Sequence, residues 1–361
     1  MSAEPLASRP VVSPVRLGDR LVGPGEPVYV IAELSANHGH DLDTAKAIVR
    51  AAADAGADAV KLQTYTPDSL TIDADTPPFL IGEGTAWTGR RLHELYAEAA
   101  TPWEWHAPLL ELATELGLQL FSTPFDEAAI DFLDAFDPPA FKIASFELVD
   151  LALIRAAAAR GRPLILSTGM AVEEEIDEAV TAATDAGASG LVLLRCNSAY
   201  PAAPRDMDLR TIAAMAARWQ VPIGLSDHTL GTTAATVAVA LGAVVVEKHL
   251  TLRRADGGPD AGFSLEPNEF AAMVSAIREA EATLGGVRFG PSPGEEPSLA
   301  FRRSLFVVED VVAGEVFTAA NVRSIRPGGG LPPKHLGGVL GRHAAADVPR
   351  GTPLSWSLVE G

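Results

Sequence analysis

The sequence predicts a closed (β/α)₈ barrel of the TIM type, followed by a small β-rich domain. From residue 28 onward, an apolar strand, a polar turn, an amphipathic helix and a glycine recur in that order, which is typical of βα units. Eight strand candidates lie between residues 28 and 284, and a barrel of this kind takes roughly 250 residues. After residue 298 the alternation stops and an internal repeat replaces it.

The first βα unit shows how the elements are recognised. Residues 28–33 form a buried strand, VYVIAE; Asp41 or Asp43 can cap the helix that follows, and Gly56 ends it. The predicted strands are Val28–Glu33, Ala59–Gln63, Gln119–Ser122, Ala140–Ile143, Pro163–Ser167, Leu191–Cys196, Ile223–Leu225 and Val244–His249. An open doubly wound sheet is the competing fold, but no Gly-x-Gly-x-x-Gly follows the first strand.

Two stretches interrupt the alternation. Residues 64–100 form an insertion between the second strand and its helix, and long βα loops of barrels usually lie over the active face. Residues 285–298, rich in Gly, Pro and Glu, are interpreted as a linker. We therefore expect a barrel domain with an N-terminal extension over residues 1–284 and a second domain over residues 299–361.

The second domain contains two copies of one pattern. Residues 310–322 and 347–359 share Asp-Val-x-x-Gly-x-x-[Phe/Leu]-[Thr/Ser]-x-x-x-Val. Each copy predicts a turn, a short strand and a single helical turn, and two such copies can pack face to face. A domain of about 60 residues is only marginally stable alone, so we expect it to dock on a barrel, either its own or a partner's.

Composition excludes several classes of protein. With 47% hydrophobic residues the chain can bury a large core and is not disordered. Its 28 Lys and Arg against 47 Asp and Glu give a net charge of −19, which disfavours nucleic acid and anionic membranes as partners. The single cysteine, Cys196, fits a reducing compartment. Residues 1–10 lack the apolar core of a signal peptide, and no apolar stretch reaches the roughly 20 residues of a membrane span, so a cytoplasmic protein is expected.

Polar side chains end every predicted strand, and the carboxyl ends of barrel strands are where catalytic groups lie. His228 and His249, on neighbouring strands, could hold a divalent metal through neutral imidazoles, with Glu247 as a weaker third candidate. Two histidines make only a partial shell, which leaves positions open for water or substrate. Lys61, Lys142 and nearby hydroxyls could bind a phosphate or a carboxylate.

Segments along nearly the whole chain, from about residue 14 to 361, resemble the sialic acid synthase family. They are IAELSANHG, GADAVKLQTYTPDSLT, FSTPF, FKIASFE, LSTGM, CNSAYP, GLSDHTLG, EKHL, DGGPDAGFSLEP and FRRSLFVVEDVVAGE. Within the family, ELSANH, KLQTYTPDSLT and FRRSL are most similar to the branch that makes pseudaminic acid. The tail resembles the family's antifreeze-like (SAF) domain.

The resemblance implies condensation of phosphoenolpyruvate with the open-chain aldehyde of an N-acetylated amino sugar, which gives a nine-carbon 2-keto acid and phosphate. It implies a manganese or magnesium ion on His228 and His249, and Glu33 as the general base on the attacking water. The positions that match phosphoenolpyruvate-binding residues are Lys61, Thr123, Lys142, Ser145, Ser167, Ser198 and Ser226. Those that match sugar-side residues are Gln63, Glu147, Tyr200 and Asp260.

Some positions depart from the neuraminate branch or reach beyond the barrel. Ser198 stands where that branch has asparagine, and Arg302 where it has an aromatic residue. Arg326 matches an arginine that reaches over the neighbouring subunit's pocket, which implies a domain-swapped homodimer. Lys248, beside His249, is expected to point outward and is given no role.

Other functions are compatible with the same residues. Legionaminic acid or N-acetylneuraminic acid synthesis would use the same mechanism on a different sugar. A class I aldolase would instead form a Schiff base on Lys142. A glycan-binding protein with the tail as its active module is the alternative that is not an enzyme.

Overall fold

The computed structural model describes residues 12–85 and 87–360. The chain divides into two compact units at the junction of Gly285 and Gly286. The absence of a signal peptide was inferred from residues 1–10, which lie outside the described residues. No helix in the described part of the chain is long and apolar enough to cross a membrane.

A short hairpin precedes the barrel and closes its amino end. Strands β1 (Val15–Leu17) and β2 (Arg20–Val22) pair antiparallel around Gly18, whose φ of +57° suits a residue without Cβ. Leu17 and Val22 are buried against residues at the amino ends of the barrel strands, such as Tyr29 and Val245. The sequence indicated only an N-terminal extension here. With this end plugged, the carboxyl ends of the strands are left for the site.

Within the described residues, eight parallel strands form a closed barrel, which confirms the predicted fold class and excludes the open sheet. They are β3 (Tyr29–Glu33), β4 (Ala59–Thr64), β5 (Gln119–Pro124), β6 (Phe141–Ile143), β7 (Leu164–Ser167), β8 (Leu191–Cys196), β9 (Ile223–Asp227) and β10 (Val245–His249). Closure comes from β10 pairing with β3, with Val245 opposite Tyr29 and His249 opposite Glu33.

Helices cover the outside of the barrel. They are α1 (Leu42–Asp54), α4 (His106–Glu115), α5 (Glu127–Asp134), α6 (Leu151–Ala158), α7 (Glu173–Asp185), α8 (Thr211–Trp219), α9 (Thr233–Ala240) and α10 (Pro267–Leu284), whereas α2 (Pro67–Leu70) and α3 (Leu92–Ala99) belong to the insertion. Helix α1 starts at Asp41, whose carboxylate accepts from the backbone N–H of Asp43 and Thr44. Its apolar face buries Ala45, Ile48 and their neighbours against the strands, as the residue spacing predicted.

The insertion, described over residues 64–85 and 87–100, contains α2 and α3. Leu80 and Arg91 form an isolated antiparallel bridge, so residues 80–91 make a small loop that returns the chain to α3. The barrel helix that follows β4 is therefore α4, which begins only at His106.

The second unit is built around the two repeat copies. Strands β11 (Ser304–Val307) and β12 (Val322–Ile325) pair antiparallel, and a short helix α11 spans Leu336–Val339. A 3₁₀ helix over Pro293–Phe301 occupies part of the predicted linker.

The copies contact each other at equivalent positions. Val311 and Val348 exchange backbone hydrogen bonds of 3.0 and 2.7 Å. Asp310 accepts from the N–H of Arg350 and Asp347 accepts from the N–H of Ala313. The aspartate of the repeat thus caps the turn of the opposite copy, which explains the pattern.

Candidate active site

A cavity of about 390 Å³ opens at the carboxyl ends of the barrel strands. Most side chains that were predicted to form the site line it. They are Glu33, Lys61, Gln63, Lys142, Ser145, Glu147, Ser167, Tyr200, Ser226, His228, His249 and Asp260. Strand alternation explains the convergence, because residues two apart, such as Lys61 and Gln63, project to the same face.

Lys61 lies at the centre of a buried charge cluster. Its Nζ is 2.7 Å from Glu33 Oε2 and 3.6 Å from Glu247 Oε1. Thr123 Oγ1 accepts from the same nitrogen at 3.2 Å. Thr123 is therefore behind the lysine, which it orients, and is not among the residues that line the cavity.

The cluster shifts the protonation of its members. Burial raises the pKa of Glu33 to about 7, against the opposing effect of Lys61. Burial also disfavours the charge of Lys61, but Glu247 and Glu33 outweigh it and raise that pKa. Glu33 can therefore take up a proton near neutral pH, as a general base must.

Lys142 forms a second cationic position beside the first. Its Nζ donates to Ser167 Oγ at 2.7 Å and to the carbonyl of Ile143 at 2.9 Å. Burial lowers the pKa of Lys142, and Lys61 adds to the shift. An arriving anion would stabilise the charged form of both lysines.

A small hydroxyl-lined niche adjoins Lys142. Ser145 Oγ accepts from the backbone N–H of Gly169 at 3.0 Å. A Cβ at Gly169 would lie 2.2 Å from Ser198 Oγ and 2.8 Å from Ser145 Oγ, so any other residue there would displace both hydroxyls. Ser198 thus sits next to the niche, although it is not among the residues that line the cavity.

The two histidines lie side by side, with ring centroids 5.4 Å apart. Nδ1 of His228 is 2.8 Å from the carbonyl of Asn197, a contact in which the nitrogen donates and which leaves Nε2 with a free lone pair. Nδ1 of His249 is buried and has no hydrogen-bond partner, and burial lowers the pKa of this ring well below its usual value. Burial opposes the charge of His228, but contact with Cys196 outweighs it and raises the pKa of this ring. The free Nε2 of His228 and the uncharged ring of His249 suit metal ligands, and a bound cation would displace any proton on His228 Nε2.

The residues fit a metal ion that takes some of its ligands from the protein and the others from water and substrate. In residues 12–85 and 87–360, no group of three or more His, Cys, Asp and Glu side chains is arranged to hold a metal ion. Glu247, the weaker third candidate, contacts Lys61 and Ser226 through Oε1, whereas its buried Oε2 has no hydrogen-bond partner. Two imidazoles with water and substrate oxygens would complete the shell.

The sugar-side candidates gather on one side of the cavity. Asp260 accepts from Ser35 Oγ, and Gln63 Nε2 donates to both Glu33 Oε1 and Ser35 Oγ at 3.2 Å. The ring of Tyr200 packs on that of His228, with centroids 4.3 Å apart. Glu147 also lines the cavity, and burial raises its pKa to about 7.

Lys248 points outward from the barrel, as expected, but it is completely buried beneath the helices. Its Nζ is 2.8 Å from Asp227 Oδ2, and both side chains are 0% exposed. Asp227 Oδ1 in turn accepts from the N–H and Oγ1 of Thr229. The pair joins β9 to β10 at the residues that precede the two histidines. The sequence analysis gave Lys248 no role and so missed this structural one.

Sequence reasoning missed two further groups. Cys196 lines the cavity with its Sγ 3.8 Å from Nδ1 of His228. Burial opposes ionisation of this thiol, but His228 outweighs it and lowers the pKa of Cys196 to about 7. Apolar side chains of the insertion form the other group. Arg326 is exposed in the second unit, and its role remains a prediction.

Two family models match most of the chain. Residues 48–288 match the NeuB family and residues 302–360 match the SAF domain. Pseudaminic acid synthase of Campylobacter jejuni is 44% identical over 330 residues, 91% of this chain and 96% of that protein. N,N'-diacetyllegionaminic acid synthase of Legionella pneumophila is 36% identical over 337 residues, 92% of this chain and 94% of that protein.

A solved structure shows the same architecture. The N-acetylneuraminic acid synthetase of Leptospira borgpetersenii, in complex with citrate, superposes with a TM-score of 0.71 at 31% identity, covering 80% of this chain and 95% of that chain. The resemblance found in the sequence is thus confirmed. The chain belongs to the NeuB family.

Proposed function

We propose that this protein condenses phosphoenolpyruvate with the open-chain form of 2,4-diacetamido-2,4,6-trideoxy-altrose and water, giving a nine-carbon 2-keto sugar acid and phosphate. The observation that carries the proposal is that Lys61 and Lys142 are both buried at the strand ends and line the same cavity as Glu33. The higher identity to a pseudaminic acid synthase than to a legionaminic acid synthase supports the choice of sugar.

Phosphoenolpyruvate would bind over the two lysines. Its phosphate and carboxylate carry the charge that two buried ammonium groups need, and anions bound by charged donors form the stronger hydrogen bonds. The hydroxyls of Ser145, Ser167 and Ser226 face the same part of the cavity. In a chain with a net charge of −19, these local groups must provide the attraction.

His228 and His249 would hold a divalent ion, manganese or magnesium. When bound, the ion would supply Lewis-acid polarisation of the aldehyde oxygen. The carbonyl of Asn197 keeps the proton of His228 on Nδ1 and so directs Nε2 into the cavity.

Glu33 would act as general base on the attacking water. C3 of phosphoenolpyruvate forms a bond to the aldehyde carbon, whose oxygen takes a proton and becomes a hydroxyl. Water adds to C2 and gives one proton to Glu33, which balances the proton taken up by the aldehyde oxygen. The C–O bond to phosphate then breaks, and phosphate leaves with the bridging oxygen. The remaining hydroxyl on C2 becomes the ketone, and its proton passes to the departing phosphate. A carboxyl with a pKa of about 7 is suited to this exchange at neutral pH.

We also propose that two chains complete each site in a domain-swapped homodimer, with Arg326 over the partner's cavity. Exposed apolar side chains on the loops that follow the barrel strands support this. They are Phe146, Val149, Met170, Val172 and Leu230. Exposed apolar side chains gathered at one end of a barrel are typical of an interaction surface.

The lowered pKa of Lys142 favours one alternative, a Schiff-base aldolase acting on pyruvate. Borohydride would then trap a covalent pyruvate adduct on the wild-type protein and not on Lys142→Ala. Because Nζ of Lys142 already donates to Ser167 and Ile143, we expect no adduct.

The test of the proposal is phosphate release from phosphoenolpyruvate, with product mass, in manganese and in chelator. The sugars are 2,4-diacetamido-2,4,6-trideoxy-altrose, its manno counterpart of the legionaminic route, and N-acetylmannosamine. We expect metal-dependent release with the altrose derivative. Release with only another sugar would contradict the choice of substrate, and no release with any would contradict the function.

A further inference from the structure

The cavity has two chemically different parts. The polar floor is formed by the strand ends described above. The other part is an apolar wall, here defined as the side chains of the insertion that line the cavity, among them Leu70, Ile81, Trp87, Leu92, Leu95 and Tyr96. Neither the floor residues nor the predicted chemistry accounts for this wall.

Helix α3 and the loop that contains Ile81 form most of the wall. Leu92, Leu95, Tyr96 and Ala99 all line the cavity, and their spacing places them on one face of α3. Ile81 is fixed in its loop by backbone hydrogen bonds to residues 89 and 90, of 2.8 and 2.9 Å.

Trp87 connects the wall to the segment that carries the sugar-side residue Asp260. Its Nε1 donates to the carbonyl of Pro259 at 2.8 Å, next to the sugar-side residue Asp260. Its ring lies 5.5 Å from that of Tyr200, centroid to centroid. The wall is therefore a preformed surface that faces the place assigned to the sugar.

The reaction fixes which end of the sugar meets the wall. The aldehyde carbon must lie on the floor, near His228, His249 and the lysines, because the new bond forms there. The carbon farthest from the aldehyde, C6, then extends away from the floor. An apolar wall favours a methyl group at that carbon, since burying a CH₂ or CH₃ group contributes about 0.8 kcal/mol. A hydroxyl buried there without a partner costs about 1–3 kcal/mol.

We propose that the apolar wall is the subsite for a methyl group at C6 and makes the protein select 6-deoxy amino sugars over their 6-hydroxy counterparts. The inference rests on the proposed function and names the feature of the substrate that this part of the cavity recognises. A hydrophobic pocket rejects an added hydroxyl by roughly 100-fold, so we expect a preference of about 10- to 100-fold in kcat/KM.

The experiment compares 2,4-diacetamido-2,4,6-trideoxy-altrose with the same sugar carrying a 6-hydroxyl. Phosphate release gives kcat/KM for each in the wild type and in Ile81→Asn, which places an amide in the wall. Leu80→Asn is the matched control, because Leu80 is the adjacent residue, is 43% exposed and does not line the cavity. Leu92→Asn, on a different element of the wall, provides a second variant should Ile81→Asn fail to fold.

The wild type should prefer the 6-deoxy sugar, and Ile81→Asn or Leu92→Asn should reduce that preference at least tenfold. The KM for phosphoenolpyruvate should not change in the variants, and Leu80→Asn should behave as the wild type. Equal use of the two sugars by the wild type, or an unchanged preference in both wall variants, would overturn the subsite and leave the function standing. If the wild type released phosphate with neither sugar, subsite and proposed function would both be overturned.

Discussion

Replacing Lys248 with methionine should destabilise the barrel severely. Lys248 and Asp227 are both completely buried, with Nζ and Oδ2 2.8 Å apart. Methionine can fill the space of the lysine stem, so the change removes the charge without opening a large cavity. The Asp227 carboxylate is then left buried without a counter-ion, which costs about 3–5 kcal/mol. At about 2 °C per kcal/mol, the unfolding midpoint of the barrel should fall by at least ~6 °C.

Two variants separate the effect of charge from other changes. Lys46→Met removes a half-buried lysine from the outer helix α1 and should leave the midpoint nearly unchanged. The double variant Asp227→Asn, Lys248→Met removes both buried charges and keeps an acceptor for Thr229. Since neutral replacements of buried ion pairs are often as stable as the pair itself, the double variant should recover most of the loss measured by thermal unfolding.

The same variants test whether the pair positions the histidines. Asp227 and Lys248 directly precede His228 and His249, the proposed metal ligands, so loss of the pair should displace both rings; changes around metal ligands typically alter metal affinity 10- to 100-fold. Manganese affinity, measured by electron paramagnetic resonance of the free ion, should therefore fall about tenfold or more in Lys248→Met. A midpoint within 2 °C of the wild type, or a double variant no more stable than the single one, would refute this reasoning.

Three further changes give separate readouts. Because Glu33 must be ionised to act as a base and its pKa is about 7, kcat/KM should fall about tenfold per pH unit below that value, and Glu33→Gln should abolish turnover while still binding manganese. Burial raises the pKa of Glu147 from 4.5 to about 7, so ionisation of Glu147 lowers the free energy of unfolding as pH rises between these values. Glu147→Gln should therefore add up to ~3 kcal/mol to the free energy of unfolding in urea at pH 8, and nothing at pH 4. Gly169→Ala should raise the KM for phosphoenolpyruvate at least tenfold, because the new Cβ would meet Ser198 Oγ at 2.2 Å, whereas Gly262→Ala, with nothing within 4 Å, should not.

The strands and most of the site could be predicted because their signals are local. Each barrel strand is an apolar run that ends in polar residues, and the observed bounds differ from the predicted ones by no more than two residues at either end. Once the strands close into a barrel, their carboxyl ends must converge. Lys61, Lys142 and the two histidines were therefore brought together by topology alone.

What the sequence did not reveal depends on contacts between distant segments. The strands of the hairpin β1–β2 have three residues each, which is too short for a periodic pattern. The role of the hairpin is visible only from its packing against the amino ends of the barrel strands. Lys248 was expected to have no role because it points away from the barrel interior, but the helices outside bury it. The spacing of Leu92, Leu95, Tyr96 and Ala99 was a visible helical face; its position over the cavity was not.

The measurement that tests the account most directly uses phosphoenolpyruvate labelled with ¹⁸O in the oxygen that bridges carbon and phosphorus. The protein is supplied with manganese and the altrose derivative, and the released phosphate and the sugar acid are analysed by mass spectrometry. Attack of water at C2, assisted by Glu33, breaks the C–O bond and leaves the label in phosphate. Label retained in the carbon product at early times, with unlabelled phosphate, would show cleavage of the P–O bond and contradict the mechanism.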